Sequence, residues 1–303
     1  MLDDFVFPLA CQAIPRLCKR LGVECNLPEE IFPVGVDERT LTVLNKKREM
    51  LLDELYSKHG ISIWDVFDES GIGQERNALA RQFVADGSST LDIATGRGYF
   101  AFACANRDSH VTAVDIMDGE QRAGWWNVFL GSSRRLGLGQ RVNGIRSDGS
   151  SLPIESRSFE VVSCVHAIRN FLLHDELKET VREIHRVTAK GGELILAESS
   201  TEPESTSEEV YLAYLKLRAA LGWEAILPNS KELEWLPEQA GFSKITLTKK
   251  RFSRDYAPVE FPSYIMSNKT PKMREEHDRI EKLRSRNGIK PTTVMVVTAT
   301  ADA

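Results

Sequence analysis

The stretch STLDIATGRGYFAFACAN, residues 89–106, limits the possible folds more than any other part of the chain. An apolar run of strand length enters a turn with two glycines, Gly96 and Gly98, and leaves as an apolar helix. Strand, glycine turn and helix in that order open a βαβ unit. The rest of the chain from Gln74 repeats the theme. ERNALARQFVAD (75–86) reads as a helix, HVTAVD (110–115) as a strand and GWWNVFLGSSRRLGL (124–138) as a helix. RVNGIRSD (141–148) and FEVVSCVHAI (159–168) read as strands, HDELKETVREIHRVT (174–188) as an amphipathic helix and GGELILAES (191–199) as a strand. Strands spaced by helices imply a doubly wound, mainly parallel α/β sheet.

Both ends depart from this alternation. Residues 1–73 read as helical and irregular, with one clear helix from an Asp37 cap to a Gly60 stop. ISIWDVF and a turn at ESGIG follow it. Near the other end, helices at 207–222 and 229–242 precede strands KITLTKKRF (244–252) and TTVMVVTATA (292–301). Between those strands lies the charged run KMREEHDRIEKLRSR, expected as a solvated helix face held by pairs such as Glu275–Arg279 and Asp278–Lys282. The expected division is a helical cap over 1–73 and a main domain over 74–303, with insertions at about 200–230 and 253–290.

The 303 residues carry a net charge of −5, which argues against a dedicated nucleic-acid binder. Cys11, Cys18 and Cys25 recur every seven residues, a spacing that fits small buried apolar positions rather than zinc; Pro15 and Pro28 limit any one helix there. No metal site is expected. The acidic start and proline-broken apolar run predict no signal peptide, and no apolar stretch is long enough to span a bilayer. Unpaired cysteines fit a reducing cytoplasm.

Gly96 to Ala101 fits G-x-G-x-x-A, a weak signal alone, with a dinucleotide as the first candidate ligand. Asp115 ends the second strand, seventeen residues after Gly98, where a carboxylate can accept both hydroxyls of a ribose. Asp92 separates the possible ligands. A dinucleotide would bring phosphate to a turn that already carries a carboxylate, and two like charges at about 4 Å with an effective dielectric near 20 repel by about 4 kcal/mol. A cationic nucleoside, S-adenosylmethionine, gains from the same carboxylate. Asp92 could equally be a hydrogen-bonded structural acid.

LDIATGRG, the acid of VTAVD, SDGSSLPIESRSFEVVSCVHAIRN and RVTAKGGELILAES, in that order, resemble class I S-adenosylmethionine-dependent methyltransferases. Within these, the resemblance is closest to the ubiquinone/menaquinone C-methyltransferase group. It covers residues 75–200 and implies a Rossmann-like sheet with an antiparallel C-terminal strand. It also implies roles. Asp92, Ala94, Gly96 and Gly98 would surround the methionine part of the cofactor. Asp115 would hold the ribose, Ile116 would pack on adenine, Asp148 would accept from the adenine amino group and the Gly149 backbone would read a ring nitrogen. Val165 would flank the sulfonium. Arg97 stands where the group often has threonine or serine, and its cation must point outward from such a pocket.

Catalytic candidates follow the fourth strand: His166 as a base, Arg169 as the partner of a phenolate and Asn170 as an orienter of a ring oxygen. His174 is a weaker candidate near a helix start, and Tyr211 and Tyr214 are helix aromatics that could face an acceptor or fill a core. The expected activity is C- or O-methylation of a small aromatic or prenylated acceptor. Methylation of RNA or protein, or cofactor binding by a non-catalytic regulatory subunit, are the alternatives. Peripheral membrane association is compatible with a prenylated acceptor.

Overall fold

A computed structural model describes residues 3–31, 33, 36–116, 125–173, 177–222, 227–252 and 269–302. The chain divides into two compact units. One gathers residues 1–75, 202–223 and 253–292; the other gathers 76–201, 224–252 and 293–303.

The second unit holds a seven-stranded sheet. Its strands are β1 (Ser89–Ile93), β2 (His110–Asp115), β3 (Val142–Arg146), β4 (Phe159–Val165), β5 (Thr188–Ser199), β6 (Phe242–Lys250) and β7 (Val294–Ala301), in the order β3-β2-β1-β4-β5-β7-β6. β1 to β5 pair in parallel, whereas β7 pairs antiparallel with both β5 and β6. The order reverses direction between β1 and β4, the topological switch point at which open α/β sheets bind ligands. One core cluster joins Leu91, Val162, Leu194, Leu196, Val297 and the helix residues Val181, Ile184, Leu233 and Leu236. These last lie on α8 (Leu177–Val187) and α10 (Ser230–Ala240). Ser163 and Asp92 are polar residues within the same buried strands.

In the first unit, α1 (Val6–Leu21) runs through Pro15, with Cys11 and Cys18 buried on it. The expected limit at Pro15 fails because one missing N–H is tolerated where a wide apolar face is buried, from Leu9 and Ile14 to Leu17. α2 (Glu38–His59) begins where Asp37 accepts from the Thr40 amide and ends at left-handed Gly60. The turn expected at ESGIG is instead the junction of α3 (Ile63–Glu69) and the helix α4 (Gly71–Phe83). Ser70 Oγ accepts from the Gly73 amide at 2.9 Å, and a Cβ on Gly73 would lie 1.8 Å from the Phe67 carbonyl oxygen. Glycine therefore permits the two helices to abut.

The charged run forms α11 (Pro271–Asn287), which packs on α9 (Thr206–Ala220). It is more than a solvated face: His277, Ile280 and Arg284 are buried, and Ile280 joins a small core with Val210, Tyr214 and Leu217. Its ion pairs include Arg279–Glu276 at 2.7 Å and buried Arg284 with Glu30 at 2.8 Å and Glu281 at 3.6 Å. Tyr211 and Tyr214 are buried. Among the described residues no helix is long and apolar enough to cross a membrane, and no group of three or more His, Cys, Asp or Glu could hold a metal ion.

Candidate functional site

Four strand ends of the sheet unit build one pocket. β1 contributes Ile93 and Ala94, and β2 contributes Val114, Asp115 and Ile116. The turn after β3 gives Ser147, Asp148 and Gly149, and the short helix after β4, α7 (Ile168–Leu173), gives Asn170 and Phe171. The pocket thus brings together six of the residues singled out from the sequence: Ala94, Asp115, Ile116, Asp148, Gly149 and Asn170. Asp92, Gly96, Gly98, Val165, His166 and Arg169 are not on its wall and surround it from the same strand ends.

Each wall residue has a local cause. Ala94 sits at φ +53°, a left-handed turn that stops β1 and swings the chain into the glycines. Asp115 Oδ2 accepts from the Gly96 amide at 2.7 Å, tying the end of β2 to the turn after β1. Ile116 is 44% exposed although it is large and apolar, so it offers a flat apolar surface beside that acid. Asp148 Oδ1 accepts from the backbone amide and hydroxyl of Ser150, both at 2.8 Å. Gly149 leaves room for Phe171, whose ring would lie 3.0 Å from an added Cβ.

Asp92 lies behind the turn, fully within the sheet. Its Cα pairs with Ser163 on β4, whose hydroxyl donates to Oδ1 at 2.8 Å, and Thr95 donates to Oδ2 at 2.7 Å. Burial pushes its carboxyl up to about 6 against the pull of those two hydroxyls and of the Arg76 charge. A cation arriving at the turn would relieve that burial cost. The two glycines of the turn differ. Among the described residues a Cβ on Gly96 would meet Trp125 alone, at 4.0 Å, whereas on Gly98 it would strike the stacked rings of Phe102 and Phe129 at 2.7 Å. Arg97 lies with its guanidinium over the Trp125 indole, 4.3 Å from the ring centroid.

The fourth strand ends earlier than expected, at Val165, and His166 turns the chain at φ +56° into α7. The expected strand residues Ala167 and Ile168 remain buried, Ala167 just before α7 and Ile168 as its first residue. His166 Nδ1 lies 3.2 Å from Glu198 Oε1, and Arg169 Nη1 donates to the same oxygen at 2.9 Å. Glu198 is entirely buried near the end of β5. Burial would raise its carboxyl, but the Arg169 charge and the His166 contact outweigh burial and hold it below the usual range. Three polar residues of this neighbourhood, Glu198, Ser163 and Thr95, escape the sequence reading. The signal was present: LILAES places an acid inside an apolar strand, just as LDIA does. His174 lies outside the described residues.

A family model described as a methyltransferase domain matches residues 91–196. The chain is 30% identical over 176 residues to a demethylmenaquinone methyltransferase of Clavibacter sepedonicus, covering 57% of this chain and 67% of that protein. To a protein of the same name from Bacteroides fragilis it is 25% identical over 150 residues, covering 49% of this chain and 58% of that one. Among solved structures, a cyclopropane-fatty-acyl-phospholipid synthase-like protein from Lactobacillus casei superposes with a TM-score of 0.58 at 17% identity, covering 78% of this chain and 92% of that one, a likeness of fold. The pocket residues suit the cofactor of such proteins, because Asp115 and Asp148 offer carboxylates beside the exposed apolar face of Ile116, and Asp92 behind the turn adds a buried carboxyl. By the family match over the glycine turn and the identity across two-thirds of the Clavibacter protein, the chain belongs to the class I S-adenosylmethionine-dependent methyltransferases, in their ubiquinone/menaquinone C-methyltransferase-like group.

Proposed function

We propose that the protein transfers a methyl group from S-adenosylmethionine to the ring carbon or oxygen of a small aromatic acceptor, prenylated like a demethylated quinol. The observation that carries this reading is a pocket lined by Asp115, Ile116 and Asp148 at the strand ends, together with His166 and Arg169 in the segment that follows β4. The relatives named as demethylmenaquinone methyltransferases support the quinol as the acceptor class.

When bound, S-adenosylmethionine supplies a methyl group already activated by its sulfonium. The protein's own residues then bind and orient. Asp92, Ala94, Gly96 and Gly98 would border the methionine part, Gly98 chiefly by keeping the turn in shape. Asp115 would accept from the ribose, Ile116 would cover adenine, and Asp148 with the Gly149 backbone would read the adenine edge. Val165 would flank the sulfonium. His166 removes a phenolic proton, Arg169 steadies the resulting anion, and Asn170 fixes the ring oxygen. Alignment of an in-line attack supplies most of the rate, and a base adds about 10²–10⁴-fold.

The test is incubation of the protein with methyl-labelled cofactor and one of three acceptors: chemically reduced demethylmenaquinone, total RNA or extracted protein. Label is expected in the quinone fraction. Label confined to RNA or protein overturns the acceptor class, and cofactor binding with label in no fraction favours a non-catalytic role.

A further inference from the structure

We propose that two copies of this chain pair through the outer face of α2, antiparallel, about a two-fold axis at Met50. The pairing is independent of the methyl-transfer reading above.

The buried residues of α2, Leu41, Arg48, Leu52 and Leu55, lie along one side of the helix. Val43, Lys46, Lys47, Met50, Asp53 and Glu54 recur at helical spacing along the opposite side. Two members of this stripe are large, apolar and turned to solvent: Val43 is 57% exposed and Met50 64%. A single exposed apolar residue is ordinary, whereas two on one stripe seven residues apart form the seam along which a second helix can lie.

The charges of the stripe are ordered around Met50. Lys46 and Lys47 precede it by four and three residues, and Asp53 and Glu54 follow it by three and four. Opposite charges therefore stand about 9–12 Å apart along the axis, too far to pair within their own helix. Among the described residues Lys46, Lys47 and Asp53 form no ion pair. Glu54 reaches Lys58 at 3.0 Å, an exposed pair of the weak kind.

A second copy matches this order. With the helices antiparallel and Met50 beside Met50, Lys46 meets Glu54 of the second copy and Lys47 meets its Asp53. A two-fold interface is isologous, so each pairing occurs twice and four ion pairs flank two methionines. A parallel arrangement would set lysine against lysine and acid against acid, so charge selects the antiparallel one. Beside Met50 a groove of about 330 Å³ opens between α2 and the segment after α1, with Leu27, Met50 and Leu51 as its apolar lining. It has room for a second Met50, whose unbranched thioether adapts to such gaps. One helix face falls short of the roughly 800 Å² per partner of a standard interface, so the association is weak and salt-sensitive.

Sedimentation velocity of the full chain, from about 5 to about 200 µM, tests the pairing. The native protein should show a dimer boundary that grows with concentration and shrinks as salt is raised. K46E/K47E and D53K/E54K should each lower the association constant at least about tenfold, because each places like charges opposite one another. An equimolar mixture of the two variants should recover it to within about threefold of native, since lysines then face acids throughout. The quadruple variant that exchanges both signs should pair with itself again, which separates loss of pairing from loss of fold. A native protein that stays monomeric overturns the proposal, and one that instead sediments with phosphatidylglycerol vesicles assigns the face to a membrane surface. A native dimer indifferent to both charge reversals, or a mixture that stays monomeric, overturns it as well.

Discussion

Asp92 is the residue through which the proposed cationic cofactor would couple to a proton buried in the sheet. Its carboxyl is pushed up to about 6 by burial, above the roughly 3.9 of an exposed aspartate. The folded ligand-free protein therefore holds this proton more tightly than the unfolded chain does. Its contribution to stability is complete below about pH 4 and is lost as pH rises through about 6. A cationic ligand acts in the opposite sense, because it favours the carboxylate. S-adenosylmethionine affinity should therefore rise as pH rises through about 6, level off above it, and release a proton on binding below it. A charge pair at about 4 Å and an effective dielectric near 20 is worth about 4 kcal/mol, and a third of that is tenfold in affinity. Asp92→Asn should thus weaken binding about tenfold at pH 7.5 and flatten the pH dependence. Calorimetry in buffers of differing ionisation enthalpy measures both effects. A native affinity that stays level between about pH 5 and 7.5 would remove Asp92 from the ligand's electrostatics.

At the scale of elements, the glycine turn contains two different devices. Gly98 caps α5 (Tyr99–Ala105) at φ +84° beneath the rings of Phe102 and Phe129. Gly98→Ala combines a left-handed penalty of about 1–2 kcal/mol with overpacking of about 1–3 kcal/mol. A Cβ on Gly96, at φ +56°, meets nothing nearer than Trp125 at 4.0 Å among the described residues, so Gly96→Ala should cost stability only the first of these and cost affinity more. Urea denaturation of both variants, with S-adenosylhomocysteine titrations, checks the ordering; equal losses of stability would merge the two roles. The turn and the strands around it were legible because apolar runs of strand length alternate with amphipathic helices from residue 75 to 199. α7 was not, because Ala167 before it and Ile168 at its start are buried as they would be in a strand, and the backbone at His166 is what tells the two apart. The acids ending β2 and interrupting β1 were legible as charges in apolar strands. Glu198 gives the same signal, but its meaning depends on His166 and Arg169, about thirty residues away, and no local pattern connects them.

At the scale of the whole molecule, the chain passes back and forth between its units, and this long-range grouping has no periodic signature in the sequence. Residues 202–223 and 269–292 read locally as ordinary helices. Their pairing as α9 on α11 rests on an apolar cluster in which Val210, Tyr214 and Leu217 meet Ile280, flanked by Leu221, Met273 and Leu283. Among the described residues, the wall of the candidate cofactor pocket comes from the other unit, from the ends of β1 and β2, the turn after β3 and α7. Stability and cofactor affinity should therefore separate by unit. Leu217 is 4% exposed, and Leu217→Ala deletes a buried side chain at a cost of about 2–5 kcal/mol. Thermal unfolding of that variant should begin at lower temperature, while its S-adenosylhomocysteine dissociation constant, measured well below the transition, stays within about twofold of native, since no pocket contact is removed. A tenfold weakening would mean that the helices of the first unit help to shape the cofactor pocket, and the pocket could then no longer be treated as the work of the sheet unit alone.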